Sequence, residues 1–223
     1  MSLKKTALQN FSLYAVTDLR SLGEDFAESV LAAYQGGVDI IQLRSKHLND
    51  RELIEAGQIL RICADRLGKL FFVNDRLDIA LAVMADGLHL GQDDMPLAIA
   101  RRLAERAGHP LLLGKSTHDL EQALDAEREG ADYIGVGPVF ATPTKPGRSA
   151  VGLELIQQVS RSVKVPFVAI GGIDANNVPE VVQAGASRIA CVRAIFNGKD
   201  VYGAAKQLCD KLRSEKDAYV SSC

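Results

Sequence analysis

Several short apolar runs in this chain end in polar or charged residues whose types suit the handling of phosphate. Ile40-Ile41 leads into Gln42-Leu43-Arg44-Ser45-Lys46, where alternation along an extended strand turns Gln42, Arg44 and Lys46 the same way. Phe71-Phe72-Val73 leads into Asn74-Asp75, and Gly87-Leu88-His89-Leu90 into Gly91-Gln92-Asp93-Asp94. Asp94, two residues before Pro96, has the place of a helix N-cap. Asp75 and Asp94 are also carboxylates on separate loops, opposite an arginine and lysines, a set that suits a divalent cation bridging phosphate oxygens. Hard oxygen donors without a suitable Cys or paired-His set point to Mg2+ and away from zinc. Ser116 and Thr117, after Gly114-Lys115, either cap the following helix or help its N–H groups cradle an anion. His118 reads more readily as a solvent-facing first-turn residue than as a catalyst.

A second group lies further along. Residues 138–152 form the longest expected loop, and long loops in compact domains are commonly functional. It carries Thr142, Thr144 and Lys145, framed by Pro143 and Pro146, as candidate phosphate donors. Gly171-Gly172 lets backbone N–H groups approach a phosphate closely, and Cys191-Val192-Arg193 ends the last apolar run. Two anionic subsites result. The first, with carboxylates, cations and amides, has enough donors for a pyrophosphate; the second, with hydroxyls and backbone amides, suits one monophosphate. Two phosphorylated substrates with a metal on one suggest group transfer with pyrophosphate leaving.

The elements that must position these residues show in a repeated phrase: a helical stretch, a small turn, then an apolar strand. It occurs at 32–43, 81–90, 127–136 and 181–192, the mark of repeated βα units. Strands are expected at about 12–17, 38–43, 70–74, 87–90, 111–115, 132–137, 166–171 and 188–193. Helices are expected near 24–35, 49–67, 76–85, 96–107, 118–129, 153–162, 175–184 and 200–214. Consecutive apolar residues, as in FFV and FVAI, fit parallel strands covered on both sides. Eight such pairs without a long linker favour a single-domain (β/α)8 TIM barrel over residues 1–223, with a doubly wound open sheet as the alternative and a frayed polar tail after about 215. In such a barrel the C-terminal strand ends carry the chemistry, and a phosphate often sits between loops seven and eight.

Composition narrows the function. With 223 residues and a formal net charge of −2, there is no basic field to hold nucleic acid or an anionic membrane. No apolar run reaches the ~18–20 residues that span a bilayer, and the N-terminus lacks a secretory core. Cys63, Cys191, Cys209 and Cys223 share no metal-ligand spacing and read as reduced thiols of a cytoplasmic protein. The expected partners are small phosphorylated molecules; self-association stays open.

The motifs together resemble the thiamine phosphate synthase (thiamine-phosphate pyrophosphorylase) family. The similarity runs through YAVTD (14–18), IIQLR with Lys46, VNDRLDIAL (73–81), ADGLHLGQDDMP (85–96), GKST (114–117), ADYIGVGPVF with Thr142, Thr144 and Lys145, VAIGGI (168–173) and the strand-eight segment. The resemblance implies coupling of hydroxymethylpyrimidine pyrophosphate to a thiazole phosphate, giving thiamine phosphate and pyrophosphate. It implies that Gln42, Arg44, Lys46, Asn74, Ser116 and Lys145 hold the pyrimidine pyrophosphate, with Arg44, Lys46, Ser116 and Lys145 serving catalysis. It implies Mg2+ on Asp75 and Asp94, and the thiazole phosphate on Thr142, Thr144, Gly172 and the backbone of Val192 and Arg193. Pyrophosphate would leave first, and the thiazole nitrogen would capture the resulting cation without a general base. Two positions depart from the family pattern: Ser45 replaces a usual Glu, and Arg193 a usual Ser. The competing readings are a thiazole tautomerase on the same barrel, with His118 as proton shuttle, and a non-catalytic phosphate-binding barrel.

Overall fold

Successive residues of each strand enter two different apolar cores, and this alternation sets the architecture. The computed structural model describes residues 3–20, 22–142 and 149–222. Among these, the strands are β1 (Leu13–Val16), β2 (Ile40–Leu43), β3 (Leu70–Asn74), β4 (Gly87–Leu90), β5 (Leu112–Thr117), β6 (Tyr133–Val136), β7 (Phe167–Ile170) and β8 (Ile189–Cys191). All pair in parallel with their sequence neighbours, and β8 returns to β1 through Leu13 opposite Ile189, so the barrel is closed. Closure removes the open-sheet alternative.

The helices are α1 (Leu3–Asn10), α2 (Phe26–Gln35), α3 (Asp50–Leu67), α4 (Leu77–Ala82), α5 (Leu97–Arg106), α6 (Leu120–Arg128), α7 (Gly152–Ser162), α8 (Val178–Gln183), α9 (Arg193–Phe196) and α10 (Val201–Ser222). Leu13, Ala15, Ile41, Leu43, Phe71 and Val73 pack outward against helical residues such as Val30, Leu60 and Ile79. Tyr14, Val16, Ile40, Phe72, Leu112, Tyr133, Val168 and Ala190 share the barrel interior. Leu8 of α1 and Phe11 join that inner core beside the strand-start residues Ile40, Leu70 and Leu112, closing the N-terminal end. The cavity must therefore open at the other end.

Local signals explain several boundaries. Asn49 caps α3 in a reciprocal capping box with Glu52, and Gly68 ends that helix in the left-handed conformation at φ 63°. Other expectations need correction. β5 runs through Thr117, so Ser116 and Thr117 are strand residues; Asp119 caps α6 instead, accepting the Gln122 N–H at 2.8 Å. Pro96 occupies the N-cap position of α5, while the Asp94 carboxylate turns back onto the Gly91 N–H at 2.6 Å. The stretch after about 215, expected to fray, continues α10 through Ser222. Neither α1 nor α9 was anticipated, and α9 begins at Arg193, where an eighth strand was expected to end.

Candidate active site

Inward positions at the C-terminal strand ends are where the apolar interior gives way to polar side chains. A cavity of about 330 Å3 opens there. Gln42, Arg44, Asn74 and Ser116 line one side of it; Thr142, Gly172, Val192 and Arg193 line it from the later loops. His118 lines it as well, with Nδ1 2.5 Å from the Gly137 carbonyl oxygen, a contact in which the ring nitrogen must carry the hydrogen. Among the described residues, Lys46, Asp75 and Asp94 stand outside the lining. Thr144 and Lys145 lie outside the described residues.

Each wall has an identifiable mechanical cause. Arg44 is buried, and its guanidinium pairs with Asp18 at 2.5 Å while its N–H reaches the Thr17 hydroxyl. That contact fixes a cation at the mouth of β2 where a freely rotating side chain would not stay. Ser45 points elsewhere, as expected: its hydroxyl donates to Leu19 O at 2.7 Å and accepts the N–H groups of His47 and Leu48. The glycine wall follows from close approach. Gly171 and Gly172 have φ 103° and 66°, and a Cβ on either would come within 2.7 Å of Pro138 or Phe140. Asn177 fastens the turn by donating to Gly172 O at 2.8 Å.

Asp75 and Asp94 sit at neighbouring strand ends. Asp75 is exposed, in the left-handed region at φ 59°, with its N–H on His89 O at 2.8 Å. Asp94 is attached to Gly91, two residues beyond His89. No group of three or more His, Cys, Asp or Glu side chains placed to hold a metal ion occurs among the described residues. A pair of hard carboxylates nonetheless fits Mg2+, which keeps several positions for water and substrate phosphates and rarely takes a full protein cage.

Reading from sequence missed a polar string across the cavity floor. Gln42 Nε2 donates to Tyr14 Oη at 2.8 Å; Tyr14 Oη and Tyr133 Oη are 3.0 Å apart; Tyr133 Oη is 2.8 Å from His89 Nδ1; His89 Nε2 is 2.9 Å from Ser116 Oγ. Burial pushes both phenols well above the ordinary tyrosine range, so both stay neutral. No role was expected of either Tyr14 or Tyr133. Their signal was phase: each shares the inward face with Val16 or Gly135. Cys191 also lines the cavity, and burial, with Asp174 second, pushes its thiol up to about 12.

The chain is similar to known proteins along most of its length. The family described as thiamine monophosphate synthase matches residues 13–195. A thiamine-phosphate synthase of Chloroflexus aurantiacus is 48% identical over 201 residues, covering 89% of this chain and 91% of its own. One from Mycobacterium sp. strain KMS is 50% identical over 218 residues, covering 93% and 95%. A solved thiamine phosphate pyrophosphorylase from Pyrococcus furiosus superposes with a TM-score of 0.83 at 41% identity, covering 95% of this chain and 98% of that one. Similarity of this depth, continuous from the first barrel strand to the last, means that the protein belongs to the thiamine monophosphate synthase family.

Proposed function

We propose that this protein joins hydroxymethylpyrimidine pyrophosphate to a thiazole phosphate, forming thiamine phosphate and releasing pyrophosphate. The observation that carries the reading is one cavity with two unlike walls. Gln42, Arg44, Asn74 and Ser116 supply side-chain donors on one; Gly172, Val192, Arg193 and Thr142 supply backbone groups, a cation and a hydroxyl on the other. Unlike walls suit two different phosphorylated substrates, in keeping with the names of the chain's relatives.

In this reading the C–O bond between the pyrimidine methylene and pyrophosphate breaks, its electron pair leaving with pyrophosphate. The thiazole nitrogen lone pair then forms the C–N bond. No proton is abstracted from that nitrogen, so no general base is required. Arg44, Lys46, Ser116 and Lys145 stabilise the departing charge, which is where preorganised donors have most effect. Mg2+, held by Asp75 and Asp94, would supply further neutralisation of the pyrophosphate oxygens. Thr142, Thr144, Gly172 and the backbone of Val192 and Arg193 orient the thiazole phosphate.

We place the reaction in the cytoplasm: Cys63, Cys191 and Cys209 are free thiols, as a reducing compartment allows. No helix among the described residues is long and apolar enough to cross a membrane. The test is incubation of the protein with both substrates and Mg2+, followed by chromatography. Formation of thiamine phosphate and pyrophosphate in equal amounts is the expected result. Isomerised thiazole without coupling would replace the synthase reading with the tautomerase.

A further inference from the structure

The polar string beneath the cavity has a direction, which follows from the Gln42 amide, with Nε2 toward Tyr14 Oη, by counting hydrogens. Gln42 Nε2 can only donate, so Tyr14 Oη accepts from it at 2.8 Å. The single Tyr14 hydrogen then has Tyr133 Oη at 3.0 Å. Tyr133 Oη, already an acceptor, directs its own hydrogen to His89 Nδ1 at 2.8 Å. A neutral imidazole that accepts at Nδ1 carries its proton on Nε2, which faces Ser116 Oγ at 2.9 Å. Ser116 Oγ therefore accepts from the histidine and keeps its hydrogen for the cavity.

We propose that Tyr133 is a positioning residue: it holds His89 in the Nε2–H tautomer, so that Ser116 presents its hydroxyl hydrogen to the substrate. The catalytic consequence rests on the synthase reading; the hydrogen-bond direction does not. A donor at this position attracts a phosphate oxygen or ring nitrogen, whereas a serine turned onto the histidine would meet the same atom with a lone pair. The strands are shaped around the string. A Cβ on Gly114 would lie 2.2 Å from the Tyr133 ring, and one on Gly135 would lie 3.3 Å from His89 Cε1. Both tyrosines are buried, with Phe72 edge-on to each ring, so neither hydroxyl exchanges its partner for bulk water. The opposed arrangement is equally definite. If the Gln42 amide presented its oxygen to Tyr14, every link would reverse, His89 would carry Nδ1–H, and Ser116 would donate inward.

The tautomer is read directly from long-range 1H–15N correlations of the full 15N-labelled chain at about pH 8, above the ordinary imidazole range. The His89 signals are identified by their loss in His89→Gln. Wild type should show the proton on Nε2. Tyr133→Phe should lose this preference, while Tyr14→Phe should retain it, because Tyr133 keeps its hydrogen for Nδ1. An Nδ1–H ring in wild type, or an unchanged tautomer in Tyr133→Phe, overturns the proposal.

Kinetics give the second measurement. Tyr133→Phe should lower kcat about tenfold or more, with KM for both substrates changed by less than about threefold. In a Ser116→Ala background the same change should cost less than about twofold, because the tyrosine acts through that hydroxyl. A full tenfold loss in both backgrounds would mean that Tyr133 acts independently of Ser116, and would overturn the positioning role. If wild type forms no thiamine phosphate, the synthase reading falls alone, and the tautomer still decides the string.

Discussion

Arg193 shows how a residue's role depends on the turn that carries it. It was expected at a strand end; it is instead the first residue of α9, exposed, on the cavity wall with Asp174 and Asn197. Its guanidinium adds a permanent charge to a wall otherwise built largely of backbone and small residues. Arg193→Ser should raise KM for the thiazole phosphate roughly tenfold, the low end of a charge-assisted bond at about 1.5 kcal/mol, because water stays close. KM for the pyrimidine substrate should be unchanged; measuring both constants checks it. The carboxylates give a second prediction. Asp75→Asn and Asp94→Asn should each lower kcat on the order of 10^2-fold, and excess EDTA should abolish turnover until Mg2+ is restored. Wild-type turnover in Asp94→Asn would leave that carboxylate only its bond to Gly91. His118→Ala should keep most coupling activity, since the proposed chemistry needs no proton shuttle; a collapse of coupling in a steady-state assay would contradict it.

At the scale of elements, the repeated phrase ahead of the even-numbered strands builds the stable end of the barrel. Asp39, Asp86 and Asp132 stand one residue before β2, β4 and β6. Each carboxylate crosses to the preceding strand and accepts an N–H there, from Leu13, Phe71 and Leu113. Each also holds a cation: Lys69 on Asp39, Arg61 and Lys4 on Asp86, Arg101 on Asp132. Ahead of β8 stands Arg188 instead; it donates to Gln9 O and lies 5.4 Å over the Phe11 ring, tying down the segment that closes the barrel. Asp86 is the most buried of the three carboxylates, and the Arg61 Nε beside it is already buried without a hydrogen-bond partner. Asp86→Ala should therefore cost about 3–5 kcal/mol in urea unfolding, the penalty for stranding a partly buried charge. Its kcat/KM should stay near wild type, because the change is at the face opposite the cavity.

The whole molecule divides its tasks between two ends: ion pairs and the α1 closure at one, the cavity at the other. Its pH response reflects the apolar interior between them. Burial pushes the folded Cys191 thiol up to about 12, and it raises the phenols of Tyr14, Tyr34 and Tyr133 as well. Groups raised on folding add stability that is complete below their unfolded values and is lost as pH climbs toward their folded ones. Melting temperature should accordingly fall steadily above about pH 9, and Cys191→Ala should soften the first part of that fall. A flat profile between pH 9 and 11 would contradict the burial of these groups. Native Cys191 should also resist alkylation at about pH 8, followed by mass spectrometry, since the thiolate is the reactive form.

Much of this protein was legible in its residues one at a time. Apolar runs of strand length and small turns after helices are local signals, and they located the eight barrel strands and the helices paired with them. Alternation along the second strand also turned Gln42 and Arg44 toward the cavity they line, but Lys46, in the same phase, stands outside that lining, and Asn74 and Ser116 were indicated by the family resemblance. Only the tertiary structure decided which contacts complete those residues. Asp18 reaches Arg44 from a neighbouring strand end, and Gln42, Tyr14, Tyr133, His89 and Ser116 come from five different strands. Their meeting depends on barrel closure and strand register. Neither is written into the identity of a tyrosine, and so the string becomes visible only where inward-facing side chains from separate strands converge.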